Sequence, residues 1–279
     1  MIKRLLSQKM EEFKEYLILT KRSGATIEKY LRDVNKFIDF SKGTKITKEI
    51  VIKYKKSLIA FYAPRSVNSM LASLNCFFSF LDRDDLKVKT VKLQNQIYRS
   101  ESKELTKAEY LELCKAAEAT NNQRLNLILQ TICGTGIRIS ELKYITLESV
   151  KRGEASVNCK GKTRTVFIIK ELQKKLLKYA KVKNIKKGII FRTRNGKPVN
   201  RTSIWREMKA ICKIANVNPQ KVFPHNLRHL FARTFYSFEK DIVKLADVLG
   251  HGSINTTRIY IMSTGIEHRK RMESMHLVI

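Results

Sequence analysis

The chain has 279 residues, enough for one large or two ordinary domains with cores of their own. Apolar residues make up 43%, which excludes a disordered chain, and 56 Lys and Arg against 25 Asp and Glu leave a formal charge of +31. That excess runs along the whole chain, which excludes a charge-balanced enzyme of small metabolites and points to a polyanion, nucleic acid ahead of a membrane surface. Cys76, Cys114, Cys133, Cys159 and Cys212 show no C-x-x-C spacing, so neither a zinc site nor a disulfide framework is expected. Lys9 and Glu11 interrupt the amino terminus before a hydrophobic region develops, and no apolar run is long enough for a bilayer.

Phe13, Tyr16 and Leu17, then Ile27, Tyr30, Leu31, Val34, Phe37 and Ile38, recur at helical spacing and predict two amphipathic helices. Thr47 is placed to cap a third, with Ile50, Tyr54, Leu58 and Ile59. Pro64 opens a fourth, whose Val67, Leu71, Leu74, Phe77, Phe78 and Leu81 form a wide apolar face ending near Asp82. The sum is a four-helix domain over residues 1–84. Periodicity then lapses over 85–104, a polar and basic stretch expected to be a linker.

Residues 105–279 read as a second domain, mainly α with a small antiparallel sheet. Leu105-Thr106-x-x-Glu109 is a capping box for a helix through Leu111, Leu113 and Ala117. The next helix carries Leu125, Leu127, Ile128 and Ile132 and stops at Gly134-Thr135-Gly136. A short helix begins near Arg138 and carries Glu141 and Leu142. Alternation over 156–159 and 165–168 predicts a hairpin, followed by a lysine-rich helix over about 171–183. A short strand at Ile189-Ile190-Phe191, a turn at Asn195-Gly196 and a helix with Ile204, Trp205, Met208 and Ile211 complete the pattern.

The stretch 222–260 concentrates the chemistry. Pro224 opens a helix that places His225 and Arg228 at i and i+3, on one face. Gly250 reads as a helix stop before His251, and Tyr260 follows nine residues later. Such a set suits holding a phosphodiester while a tyrosine oxygen attacks phosphorus. His229, at i+4 from His225, invites a metal reading. A zinc-protease helix needs Glu after the first His, whereas Asn226 stands there, so His229 reads as a buried structural imidazole and no metal is expected. Gly161-Lys162-Thr163 imitates the end of a phosphate-binding loop, but Ser156 occupies the position of the required glycine, which excludes nucleotide binding.

Together, His225-x-x-Arg228, Leu249-Gly250-His251 and Thr256-Thr257-x-x-Tyr260, with the run Gly134-Thr135-Gly136-Ile137-Arg138-Ile139-Ser140-Glu141-Leu142 upstream, resemble the signature of tyrosine recombinases, the phage integrase and Xer-type family. The resemblance implies an amino-terminal core-binding (SAM-like) domain and a catalytic domain. It makes Tyr260 the nucleophile of a site-specific recombinase, forming a 3′-phosphotyrosyl link to DNA and needing no metal, ATP or other cofactor. Arg138 and Arg228 would clamp the phosphate, and His225 and His251 would donate to it and manage the attacking proton. Glu141, one turn after Arg138, either orients it or forms a surface ion pair.

Lys160 matches the family's general acid on the hairpin turn. That turn is one residue shorter than the family pattern, with Cys159 where glycine is frequent, which leaves Lys162 as a second candidate. The implied partners are double-stranded DNA and three further copies, a homotetramer on paired sites, in the cytoplasm with the nucleoid. The arm-type domain of some phage integrases is expected to be absent. The tail 266–279 docks either on a neighbouring protomer or on its own domain. A type IB topoisomerase and a non-catalytic DNA-binding relative are the rival readings, and a mobile-element integrase is not separated from a chromosome-dimer resolvase.

Overall fold

The computed structural model describes residues 2–42, 44–93, 103–159, 162–262, 269 and 272–275, without the side chains of 2–8, 159 and 162. The chain forms two compact units, Met1–Asn95 and Gln96–Ile279. The expected tail docking at 266–279 lies largely outside the described residues.

The first unit is built from α1 (Ile2–Leu19), α2 (Gly24–Ser41), α3 (Lys48–Phe61) and α4 (Pro64–Phe80). Pro64 occupies the first turn of α4 as expected. Thr47 stands at the start of α3, but its hydroxyl makes no cap bond there; its carbonyl accepts from the Val51 N–H instead. Val67, Leu71, Leu74, Phe77 and Phe78 of α4 are buried against Phe13 and Leu17 of α1, Val34 and Phe37 of α2 and Val51 of α3. Phe13 meets Phe77 edge-on at 5.0 Å.

The residues expected to begin the linker are fastened to this bundle, with Leu86 and Val88 buried. Asn75 donates Nδ2 to the Val88 carbonyl at 2.9 Å and accepts the Val88 N–H at 3.1 Å. Two helical turns away on the same face, Asn68 pairs in the same way with Val91, at 2.9 and 2.7 Å. From α3, Lys48 donates to the carbonyls of Asp85 and Lys87, and Lys55 to that of Lys89. Carboxamides thus replace the missing strand partner of an extended segment.

In the second unit the Thr106–Glu109 capping box opens α5 (Lys107–Ala119). The next helix, α6 (Gln123–Thr135), ends on Gly136 in the left-handed region, φ +64°. The segment after Arg138 is a 3-10 turn, Ile139–Tyr144, rather than an α-helix, and α7 (Leu147–Arg152) follows it. Strands β1 (Glu154–Cys159) and β2 (Lys162–Phe167) pair antiparallel from Glu154↔Phe167 to Cys159↔Lys162. Then come α8 (Lys170–Val182), α9 (Arg201–Ile211), α10 (Pro224–Glu239), α11 (Ile242–Leu249) and α12 (Ile254–Ile261). Leu125, Ile128, Leu129 and Ile132 of α6 are fully buried, with α5, α8, α9 and α10 packed around that helix.

The strand expected at 189–191 is absent from this arrangement. Only isolated bridges form there, Thr146↔Ile189 and Arg192↔Pro198. Ile190 and Phe191 are apolar because they fill the core, not because they line a sheet.

Candidate active site

Tyr260 projects from α12 into a small satellite core with Ala232, Leu245 and Leu249, and its side chain is 5% exposed. Its ring lies parallel to that of His229, centroids 4.0 Å apart, with an interplanar angle of 19°. His251 stands at 4.8 Å and His225 at 5.2 Å, both inclined to the phenol. The Arg228 Cζ lies 5.9 Å from the ring centroid. These groups converge for local reasons. Pro224 starts α10, and the helical repeat sets 225, 228 and 229 on one side of it. Gly250 ends α11 at φ +64° and turns the chain so that His251 faces back toward the same side.

Arg228 is 1% exposed, which for a guanidinium requires fixed partners. Nη1 donates to the Gly136 carbonyl and Nη2 to the Leu249 carbonyl at 2.6 Å, both at helix ends. Nη2 also meets His251 Nε2 at 3.1 Å. A guanidinium has only donors, so Nε2 is the acceptor and the imidazole proton sits on Nδ1, which donates to Thr257 Oγ1 at 2.9 Å. Burial, then the nearby Arg138, push the Arg228 pKa down to about 10, which leaves it charged at neutral pH. Burial, followed by the charges of Arg228 and Arg138, lowers His251 from 6.5 to about 4, so its imidazole is neutral at pH 7.

Glu141 resolves one of the open alternatives. It is 2% exposed and cannot be a surface ion pair. Oε1 accepts Arg138 Nη1 at 2.8 Å, and Oε2 accepts the Arg138 N–H at 2.9 Å. Arg138 itself remains 32% exposed at its side chain and sends Nη2 to the Gly250 carbonyl at 3.3 Å. The second ion-pair partner of Glu141 is Arg164 of β2, whose Nη2 reaches Oε2 at 2.8 Å.

The fold therefore brings together Arg138, Glu141, His225, Arg228, His251 and Tyr260 from four separate stretches of one chain. Lys160 lies outside the described residues, and Lys162 is described only through its backbone pairing with Cys159. Three contributors were not assigned these positions from sequence. His229 does pack as a buried imidazole, but against the ring of Tyr260, a contact that only its i+4 relation to His225 could have suggested. Thr257 sits inside the quoted motif, three residues before Tyr260, without any sign of its bond to His251. Nothing separated Arg164 from the other basic residues. Among the described residues no group of three or more His, Cys, Asp or Glu is placed to hold a metal. No described helix is long and apolar enough to cross a membrane.

A helical amino-terminal unit, followed by a helical unit that gathers guanidinium groups, imidazoles and a phenol, defines the class of enzymes that cleave and rejoin DNA strands. The profile of the phage integrase family matches residues 103–265, and that of the phage integrase N-terminal SAM-like domain matches residues 10–85. The chain belongs to the phage integrase family of tyrosine recombinases. It is 30% identical over 279 residues to the tyrosine recombinase XerA of Pyrococcus horikoshii, covering 96% of this chain and 94% of that one. XerA of Pyrococcus furiosus is 29% identical over 285 residues, with 99% and 96% covered. The fold is shared with a lambda integrase tetramer bound to a Holliday junction, at a TM-score of 0.73 and 17% identity, covering 91% of this chain and 76% of that one.

Proposed function

We propose that Tyr260 attacks a scissile phosphodiester of double-stranded DNA, forming a P–O bond to the phenol and breaking the bond to the 5′ oxygen. The product is a 3′-phosphotyrosyl link and a free 5′ hydroxyl. The observation that carries this reading is the packing of the Tyr260 ring, within its own subunit, against three imidazoles with Arg228 beside it.

Arg138 and Arg228 hold the non-bridging oxygens. Their directions are set before substrate arrives, and their attraction grows as charge moves onto the phosphorane oxygens. When a phosphate oxygen takes the donor that Arg228 now shares with His251, Nε2 of that neutral imidazole becomes free to accept the phenolic proton. His225, at the start of α10, donates to the same phosphate. Lys160, with Lys162 as the second candidate, protonates the leaving 5′ oxygen. Attack by a 5′ hydroxyl of the partner strand then reverses the step, so the phosphoester bond is conserved. In this reading guanidinium groups take the role of a metal and no nucleotide or other cofactor is required.

The working assembly is a homotetramer on two paired DNA sites, with the cytoplasmic nucleoid as its place of action. Support comes from the shared fold with lambda integrase, one of whose structures is a tetramer on a Holliday junction. Both units carry basic surface for backbone phosphates. The decisive test is a nicked suicide substrate, from which the cleaved 5′-hydroxyl fragment diffuses away. Tyr260→Phe is expected to bind it normally and form no covalent adduct; adduct at the wild-type level would refute the assignment.

A further inference from the structure

The Arg164 side chain is only 12% exposed, although it stands on a strand of a strongly basic chain where a DNA-facing arginine would be solvated. Three anchors explain that burial. Nη2 binds Glu141 Oε2 at 2.8 Å, and Nε donates to the Val248 carbonyl at 3.3 Å. The aliphatic stem lies flat on Gly250, where an added Cβ would come within 2.4 Å of Arg164 Cδ. Each anchor belongs to a different part of the site: the turn that holds Arg138, the end of α11, and the glycine before His251.

We infer that Arg164 is a positioning residue for strand cleavage: it ties strand β2 to both Arg138 and His251 and takes up part of the Glu141 carboxylate. The inference rests on the reading of Arg138 and His251 as phosphate-binding groups. Its physical content is a competition. Oε2 of the buried Glu141 is shared between the Arg138 N–H and the Arg164 guanidinium, while Oε1 binds Arg138 Nη1. With Arg164 present, the carboxylate charge is divided between two cations, and Arg138 keeps enough of its own for a phosphate. Without it, the same carboxylate draws on Arg138 alone, in a setting where little water screens the pull. The loop from Val248 to His251 loses its side-chain tether in the same stroke. Strand β2 begins at Lys162, so the foot of the lysine-bearing hairpin loses its link to the cluster as well.

The experiment compares wild type, Arg164→Met, Arg164→Lys and Tyr260→Phe on one suicide substrate, with DNA affinity and single-turnover adduct formation measured separately. Arg164→Met is expected to bind DNA within about threefold of wild type, because Arg164 faces the cluster, and to form adduct about 100-fold more slowly. Arg164→Lys keeps the charge but not the fork and is expected to recover about tenfold of that loss. The His251 imidazole, followed by NMR, should titrate at higher pH in Arg164→Met, since Arg164 is one of the charges holding it down.

Wild-type cleavage by Arg164→Met overturns the inference, and so does a rate loss matched by an equal loss of DNA affinity. Should Arg164→Met fail to fold, Arg164→Lys decides: a folded Arg164→Lys protein that cleaves at the wild-type rate overturns it equally. Adduct formed by Tyr260→Phe would instead strike at the proposed nucleophile, which keeps the two failures distinct.

Discussion

The neutral imidazole of His251 makes a prediction about stability that can be followed without DNA. Its pKa is lowered from 6.5 to about 4, first by burial and then by Arg228 and Arg138. Above pH 6.5 neither folded nor unfolded chain carries the proton, and the contribution of His251 is complete. Between 6.5 and about 4 the unfolded chain takes up a proton that the folded one refuses, so stability falls as pH falls. Below about 4 both states are protonated and the loss ends. For a fully buried ring the loss would be about 3 kcal/mol; His251 is half-buried, and screening by water brings it to about 1–2 kcal/mol. Urea unfolding of wild type and His251→Gln at pH 7 and pH 4 isolates it. The offset at pH 7 reports the lost bonds to Arg228 and Thr257, whereas the change between the two pH values reports the proton. Wild type is expected to lose about 1–2 kcal/mol more on acidification than the variant. Parallel losses would refute both the neutral tautomer and the Nε2 acceptor role built on it.

The hairpin lysines can be told apart by the leaving group. With sulfur replacing the bridging 5′ oxygen the leaving thiolate needs no proton, so Lys160→Ala is expected to cleave oxygen DNA slowly and sulfur DNA near the wild-type rate. Lys162→Ala should show no such rescue, and absence of rescue in both would remove the acid from this turn. In the first unit, Asn75→Ala deletes both bonds to Val88 and should cost about 1–3 kcal/mol. Hydrogen exchange at the Val88 amide should accelerate accordingly, and unchanged protection there would sink the idea that Asn75 holds the segment.

Much of the fold was legible because its signals are local. The capping box at Thr106 and Glu109, Pro64 and Pro224 at helix starts and the helix stops at Gly136 and Gly250 each depend on a few adjacent residues. What escaped depends on partners distant in sequence. Spacing put Glu141 near Arg138, but whether that pair was buried turned on Arg164, 23 residues on across the hairpin. Asn68 and Asn75 carried no apolar pattern, and the spaced apolar residues Leu86, Val88 and Val91 were too few among lysines to show which partners would grip the segment. The apolar triplet at 189–191 misled in the opposite direction, since burial by neighbouring helices and burial in a sheet select the same residue types. Near Tyr260 the family motif named the residues, while the stacking of His229 and the bond from His251 to Thr257 depended on how α10 and α12 pack.

The partners of Arg228 have one further consequence. Its guanidinium is immobilised by main-chain oxygens of Gly136 and Leu249, where α6 and α11 end, and among the described residues no carboxylate binds it. Peptide dipoles at each of these two helix ends offer about half an electron's charge, so they steady the buried cation in place of a counter-ion. On the proposed mechanism a DNA phosphate displaces no described carboxylate from Arg228, and meets a guanidinium already withdrawn from water.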